Sequence, residues 1–127
     1  MLVKQLSLIS EVNEKEVRNT VIKELMIYRS LKIQAENRKE QKEKGVLGLY
    51  PQLRKRAEYN DLKVKQMNRA LKHCLDQDEY SIIEMKYLST EKVKDLEIMM
   101  ELGLKRDKFY QLKRKAIYNI ATALGII

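Results

Sequence analysis

The chain has 127 residues, 44% hydrophobic and 35% charged, with one proline, four glycines and a formal net charge of +8 at pH 7. That length suits one domain, or a small domain with an arm, and the composition suits an all-α chain: no β-branched run alternates with polar residues as a half-buried strand would. No apolar run approaches the ~20 residues that span a bilayer, so no membrane partner is expected, the single cysteine excludes an internal disulfide, and the basic excess points toward a polyanionic partner, chiefly nucleic acid.

Residues 1–11 form a loose lead-in, too short and too polar for a signal peptide, so a cytoplasmic protein is expected. Asn13 followed by Glu14 and Glu16 suits a helix start, because Asn caps well and early acids complement the dipole. Val17, Val21, Leu25, Tyr28 and Leu31 then recur every three or four residues and make one apolar stripe, to be buried on the body or on a second copy. The helix is expected to fade from Ala35. Residues 36–44 carry no apolar side chain, and either continue the helix or form a linker. Gly45 and Gly48-Leu49-Tyr50-Pro51 break the chain. The division that follows is a helical arm and linker over 1–50 and a helical domain over 51–127.

A second helix is expected from Pro51 or Ala57 to Leu75, with Leu62, Met67, Leu71, Cys74 and Leu75 as an irregular apolar face. Arg54-Lys55-Arg56 at its start opposes the dipole, which favours contact with a phosphate or an acidic partner. His73 and Cys74 are adjacent, but no second His and no Cys-x-x-Cys accompanies them, so neither metal nor cofactor is expected. Asp76-Gln77-Asp78-Glu79 precedes a third helix, Tyr80 to Leu88, and acids there have a structural reason to be. Ser89-Thr90 offers a cap for the next helix.

Residues 95–114 carry the most information. They read as two short helices joined by a tight turn at Leu102-Gly103-Leu104, the pattern of a helix-turn-helix whose second helix enters the DNA major groove. Gly103 can take the left-handed conformation the turn needs. Ile98, Leu102 and Leu104 meet Phe109 and Leu112 at a shared corner, while Met99 stands where a small residue is preferred and implies a looser crossing. Projected at 100° per residue, Phe109, Leu112, Ala116, Ile120 and Leu124 face a core. Asp107, Gln111 and Arg114 fall nearly opposite, flanked by Lys108, Tyr110 and Lys115. Residues 105–115 hold six basic side chains against one acid; Lys113 projects toward the core and must snorkel. A solvated helix face is the plain alternative. One-signed charge on the helix after the turn favours a DNA reader: Arg106, Gln111 and Arg114 suit base edges, and Lys108, Tyr110 and Lys115 suit the backbone. Gly125 ends the helix. No carboxylate pair, metal cluster, Gly-rich phosphate loop or nucleophile constellation appears, so no enzyme is expected.

Asp78-Glu79-Tyr80-Ser81-Ile82-Ile83-Glu84-Met85-Lys86-Tyr87-Leu88, then Leu96-Glu97-Ile98 and Glu101-Leu102-Gly103-Leu104, then Phe109-Tyr110-Gln111-Leu112-Lys113-Arg114-Lys115-Ala116, resemble region 4 of bacterial sigma factors. More closely the chain resembles the ArpU-type regulators of phage late genes, with Tyr28-Arg29-Ser30-Leu31 matching their Tyr-Arg-x-Leu-like element. The resemblance implies an activator of packaging or lysis genes in a bacterial host's cytoplasm, with double-stranded DNA as partner and RNA polymerase and a second copy as further candidates. Lys105 stands where sigma region 4 places a capping Ser, and Tyr110 where it places an Arg, departures that argue against a standard promoter target. Two other readings share the pattern. A small terminase-like packaging subunit would form a ring, and a protein-binding module contacting RNA polymerase would bind its partner without DNA and at high salt.

Overall fold

Across residues 11–127, which the computed structural model describes, the ordered elements are all helices. They are α1 (Glu11–Glu43), α2 (Asn60–His73), α3 (Gln77–Ile83) continued by a π-helical turn (Glu84–Leu88), α4 (Asp95–Leu102) and α5 (Arg106–Ala123). The expected all-α class with a long first helix is what the chain adopts. The lead-in over residues 1–10 lies outside the described residues.

The α1 stripe is buried on the body of the same chain: Val17, Val21, Leu25 and Tyr28 all lie in the core. The helix begins at Glu11 rather than Asn13 and does not fade at Ala35 but runs unbroken to Glu43. Burial cannot hold this second half, where Ile33 is half exposed and residues 36–40 are open to water. Intrinsic propensity can, since Glu, Lys, Arg and Gln are good helix formers and no Gly or Pro interrupts them. The end is sharp. The Gly45 N–H donates to the Lys42 carbonyl at 3.1 Å and the Val46 N–H to the Gln41 carbonyl at 2.8 Å, the paired bonds of a Schellman stop.

Two more helix starts differ from expectation. α2 opens at Asn60, not at Pro51 or Ala57, so Arg54-Lys55-Arg56 lies in the loop before the helix. Arg56 instead forks onto the carboxylate of Asp61 in the first turn. The buried face of α2 is Met67, Ala70 and Leu71, with Leu62 and Cys74 exposed. α3 opens at Gln77, not Tyr80, because Asp76 is its cap. Asp76 Oδ1 accepts from the Glu79 N–H and Glu79 Oε1 accepts from the Asp76 N–H, both at 2.8 Å. That reciprocal capping box explains the acidic cluster without chemistry. Ser89 does not cap α4: its Oγ accepts from the Glu91 N–H at 3.2 Å within the loop, and Lys94 holds the cap position without a side-chain bond.

Two apolar cores result, and α5 is the wall they share. In the first, the α1 stripe meets Met67 and Leu71 of α2, Ile83 of α3 and Ala116, Ile117, Tyr118, Ile120 and Ala121 of α5. The Tyr28 hydroxyl donates to Asn68 Oδ1, and Lys63 reaches Glu24 at 3.2 Å, which ties α1 to α2. In the second, Ile82 of α3 and Ile98 of α4 close over Phe109 and Leu112 of α5, bordered by Met85, Val93, Met99, Leu102 and Leu104. The N-terminal half of α5 is therefore held by α3 and α4, and its C-terminal half by α1, α2 and α3.

Candidate nucleic-acid interface

The second core fixes how α5 is presented. Ile98, Phe109 and Leu112 are buried and Leu102 and Leu104 half-buried around one corner, as their spacing predicts. Met99 is half-buried against the same corner, as Leu102 and Leu104 are. α4 stops at Gly103, which takes φ 65° and ψ 33°, a left-handed conformation that costs other residues about 1–2 kcal/mol. The Leu104 N–H donates to the Met99 carbonyl at 2.9 Å, so the residue after the glycine folds back onto the corner while the backbone reverses. Lys105 then sits extended at the cap of α5 with no side-chain capping bond. The first amides of α5 thus keep no side-chain acceptor, which leaves the positive end of the helix dipole at the exposed tip.

Beneath α5 a charged network links three elements. Asp95, the first residue of α4, lies 2.9 Å from Lys86 of the π turn and 3.7 Å from Lys113 of α5. It also accepts from the Tyr110 hydroxyl at 3.3 Å. Burial alone would raise the Asp95 carboxyl, but the Lys86 hydrogen bond and the Lys113 and Lys86 charges outweigh it and hold the group below the usual carboxylate range. Lys113 snorkels as its position predicts. Its side chain is only 17% exposed, and its ammonium sits 5.9 Å from the ring centroids of Tyr87, Phe109 and Tyr110. Burial lowers the Lys113 ammonium and Asp95 only partly restores it. Lys113 is therefore a strut between helices, not a surface contact.

The seven residues that the sequence singles out, Arg106, Asp107, Lys108, Tyr110, Gln111, Arg114 and Lys115, are all exposed on α5. They form an outward set and a flank. Asp107, Lys108, Gln111 and Lys115 make no side-chain hydrogen bond or ion pair among the described residues, and Arg106 lies 6.0 Å over the Tyr110 ring. Tyr110 and Arg114 form the flank. The Tyr110 hydroxyl turns to Asp95, while Arg114 turns to α1, with Nε 2.8 Å from Glu14 Oε1 and its guanidinium 5.7 Å over the Tyr118 ring. As placed, Arg114 is directed away from the outward set, and reaching a base edge requires that Glu14 release it.

Glu14, Arg18, Lys86 and Asp95 are site residues that the sequence pattern does not announce. Glu14 and Arg18 are one helical turn apart on α1, and their relevance follows only once the Val17 and Val21 stripe is known to pack against α5. His73 and Cys74 are exposed at the end of α2, apart from this region. No helix among the described residues is long and apolar enough to cross a membrane. No protein-family model, curated protein or solved structure matches the chain.

Proposed function

We propose that this chain is a sequence-specific DNA-binding transcription regulator, an activator of phage late genes for packaging or lysis, acting in the cytoplasm of the host. The observation that carries the proposal is the outward face of α5: a helix set after a left-handed glycine turn, buttressed on one side by Ile98, Phe109 and Leu112 and presenting basic and amide side chains on the other. A helix of this kind fits the major groove of B-DNA. Arg106 and Gln111 would meet base edges, with Asp107 between them as an acceptor for a cytosine amino group. Lys108 and Lys115, two turns apart on one flank of the helix, would hold phosphates and set the register. RNA polymerase is proposed as a second partner, as befits an activator.

A second copy is proposed as a further partner, on a separate observation. Leu47, Leu49, Tyr50 and Leu53, in the loop after α1, are 57%, 58%, 72% and 96% exposed. Apolar side chains gathered in this way commonly mark an interaction surface, and light scattering of the intact protein distinguishes a dimer from a packaging ring.

The test is a duplex selected from a random pool by the wild-type protein, titrated beside a mixed-sequence duplex. Gln111→Ala should lose about 1–3 kcal/mol on the selected site, the worth of one good base contact, and almost nothing on the mixed one. Equal losses on both duplexes, or none, would overturn Gln111 as a reader.

A further inference from the structure

Beside the reading face, the first turns of α1 and the middle of α5 enclose a cleft of about 320 Å³. Its floor is apolar, from Ile117 and Tyr118, and its walls carry Arg18, Lys113 and Arg114 against a single carboxylate, Glu14. We infer that this cleft seats one phosphate of the DNA backbone, and that Glu14 occupies the seat in the free protein. The inference rests on the DNA-binding proposal above and adds an α1 residue that restrains it.

Arginine's planar fork accepts carboxylate and phosphate oxygens in the same geometry. The Glu14 oxygen 2.8 Å from Arg114 Nε therefore marks where a phosphate oxygen would lie. The pair is open to exchange, because the Arg114 side chain is 63% exposed and such surface pairs are weakly held. Arg18 makes no ion pair among the described residues, so its charge is available on the wall opposite. Lys113 is drawn down to Asp95 and contributes field rather than a bond.

The position is right as well as the charge. Arg114 follows Gln111 by three residues on α5, so a helix with Gln111 at the bases places Arg114 at its edge, where a bordering strand runs. A phosphate arriving there brings a fixed negative charge and releases counterions from the duplex, which a side-chain carboxylate cannot match. Displaced, Glu14 then faces the strand and opposes it. Glu14 would thus depress binding to all duplexes alike and leave base reading on α5 to decide which are held.

The experiment compares full-length wild type, Glu14→Gln and Glu16→Gln on a mixed-sequence duplex at low salt. Glu16 is exposed and projects from the opposite side of α1, so its substitution changes net charge equally without touching the cleft. Glu14→Gln should bind roughly three- to fivefold more tightly than Glu16→Gln, the scale of one surface ion pair. On an Arg114→Ala background that advantage should vanish. Equal affinities for the Glu14→Gln and Glu16→Gln proteins would overturn this inference and leave DNA binding standing. Failure of all three proteins to bind duplex would overturn the DNA-binding proposal, and this inference with it.

Discussion

Tyr87 shows at the scale of one residue how tightly the charged network is built into the fold. Burial, with Asp95 nearby and Arg18 opposing, pushes its phenol up to about 12, against about 10 in an unfolded chain. The folded protein therefore holds that proton more strongly. The resulting stability is fully present below about pH 10 and is lost as pH rises from there through about 12. Thermal melts across that alkaline window should fall more steeply for wild type than for Tyr87→Phe, while Tyr28, also raised by burial, gives both proteins a shared background. Parallel curves would contradict the assignment. Residue by residue, legibility divides the same way. The exposure of Gln111 and Lys115 and the half-burial of Lys113 follow from helical projection, a local property. That Arg114 turns toward Glu14 and Tyr110 toward Asp95 could not be read, because their partners come from other helices.

At the scale of elements, the turn at Gly103 is the most consequential joint, since it sets the angle at which α5 leaves α4. A Cβ built at Gly103 meets nothing within 4 Å, so the backbone conformation alone opposes a substitution. Gly103→Ala should destabilise by about 1–2 kcal/mol, lowering the melting temperature by several degrees, about 3–8 °C for a chain of this size. A neutral or stabilising Gly103→Ala would mean that the joint is not left-handed. This joint was legible because a glycine between two leucines at the end of an apolar corner is chemistry confined to a few residues. The start of α3 is equally local, at Asp76 and Glu79, but acids before a helix also suit its dipole, and only their three-residue spacing marks the capping box. The far half of α1 departs from expectation for a different reason: loss of apolar side chains ends burial, while helix propensity persists to Glu43.

For the whole molecule, the decisive feature is that α5 belongs to both cores. Its first turns are clamped by α3 and α4 and its later turns by α1, α2 and α3, so a duplex lying on its outward face would meet a rigid edge with α1 alongside. The helical class and the apolar stripe of α1 were legible in periodicity. Where the stripe lands was not, because periodicity identifies a buried face and not its partner. The cleft between Glu14 and Arg114, from opposite ends of the chain, depends wholly on that landing. The exposed apolar loop after α1 likewise becomes visible only when the rest of the apolar residues have been placed.

Duplex binding through α5 is tested most directly by its salt dependence in the intact protein, followed by fluorescence anisotropy. Lys108, Lys115 and the α1–α5 cleft would each neutralise a phosphate at about 0.9 per contact, so log K against log salt should fall with a slope of about −2.7. Absence of binding at low salt, or an affinity indifferent to salt, would contradict a helix that meets DNA through this face.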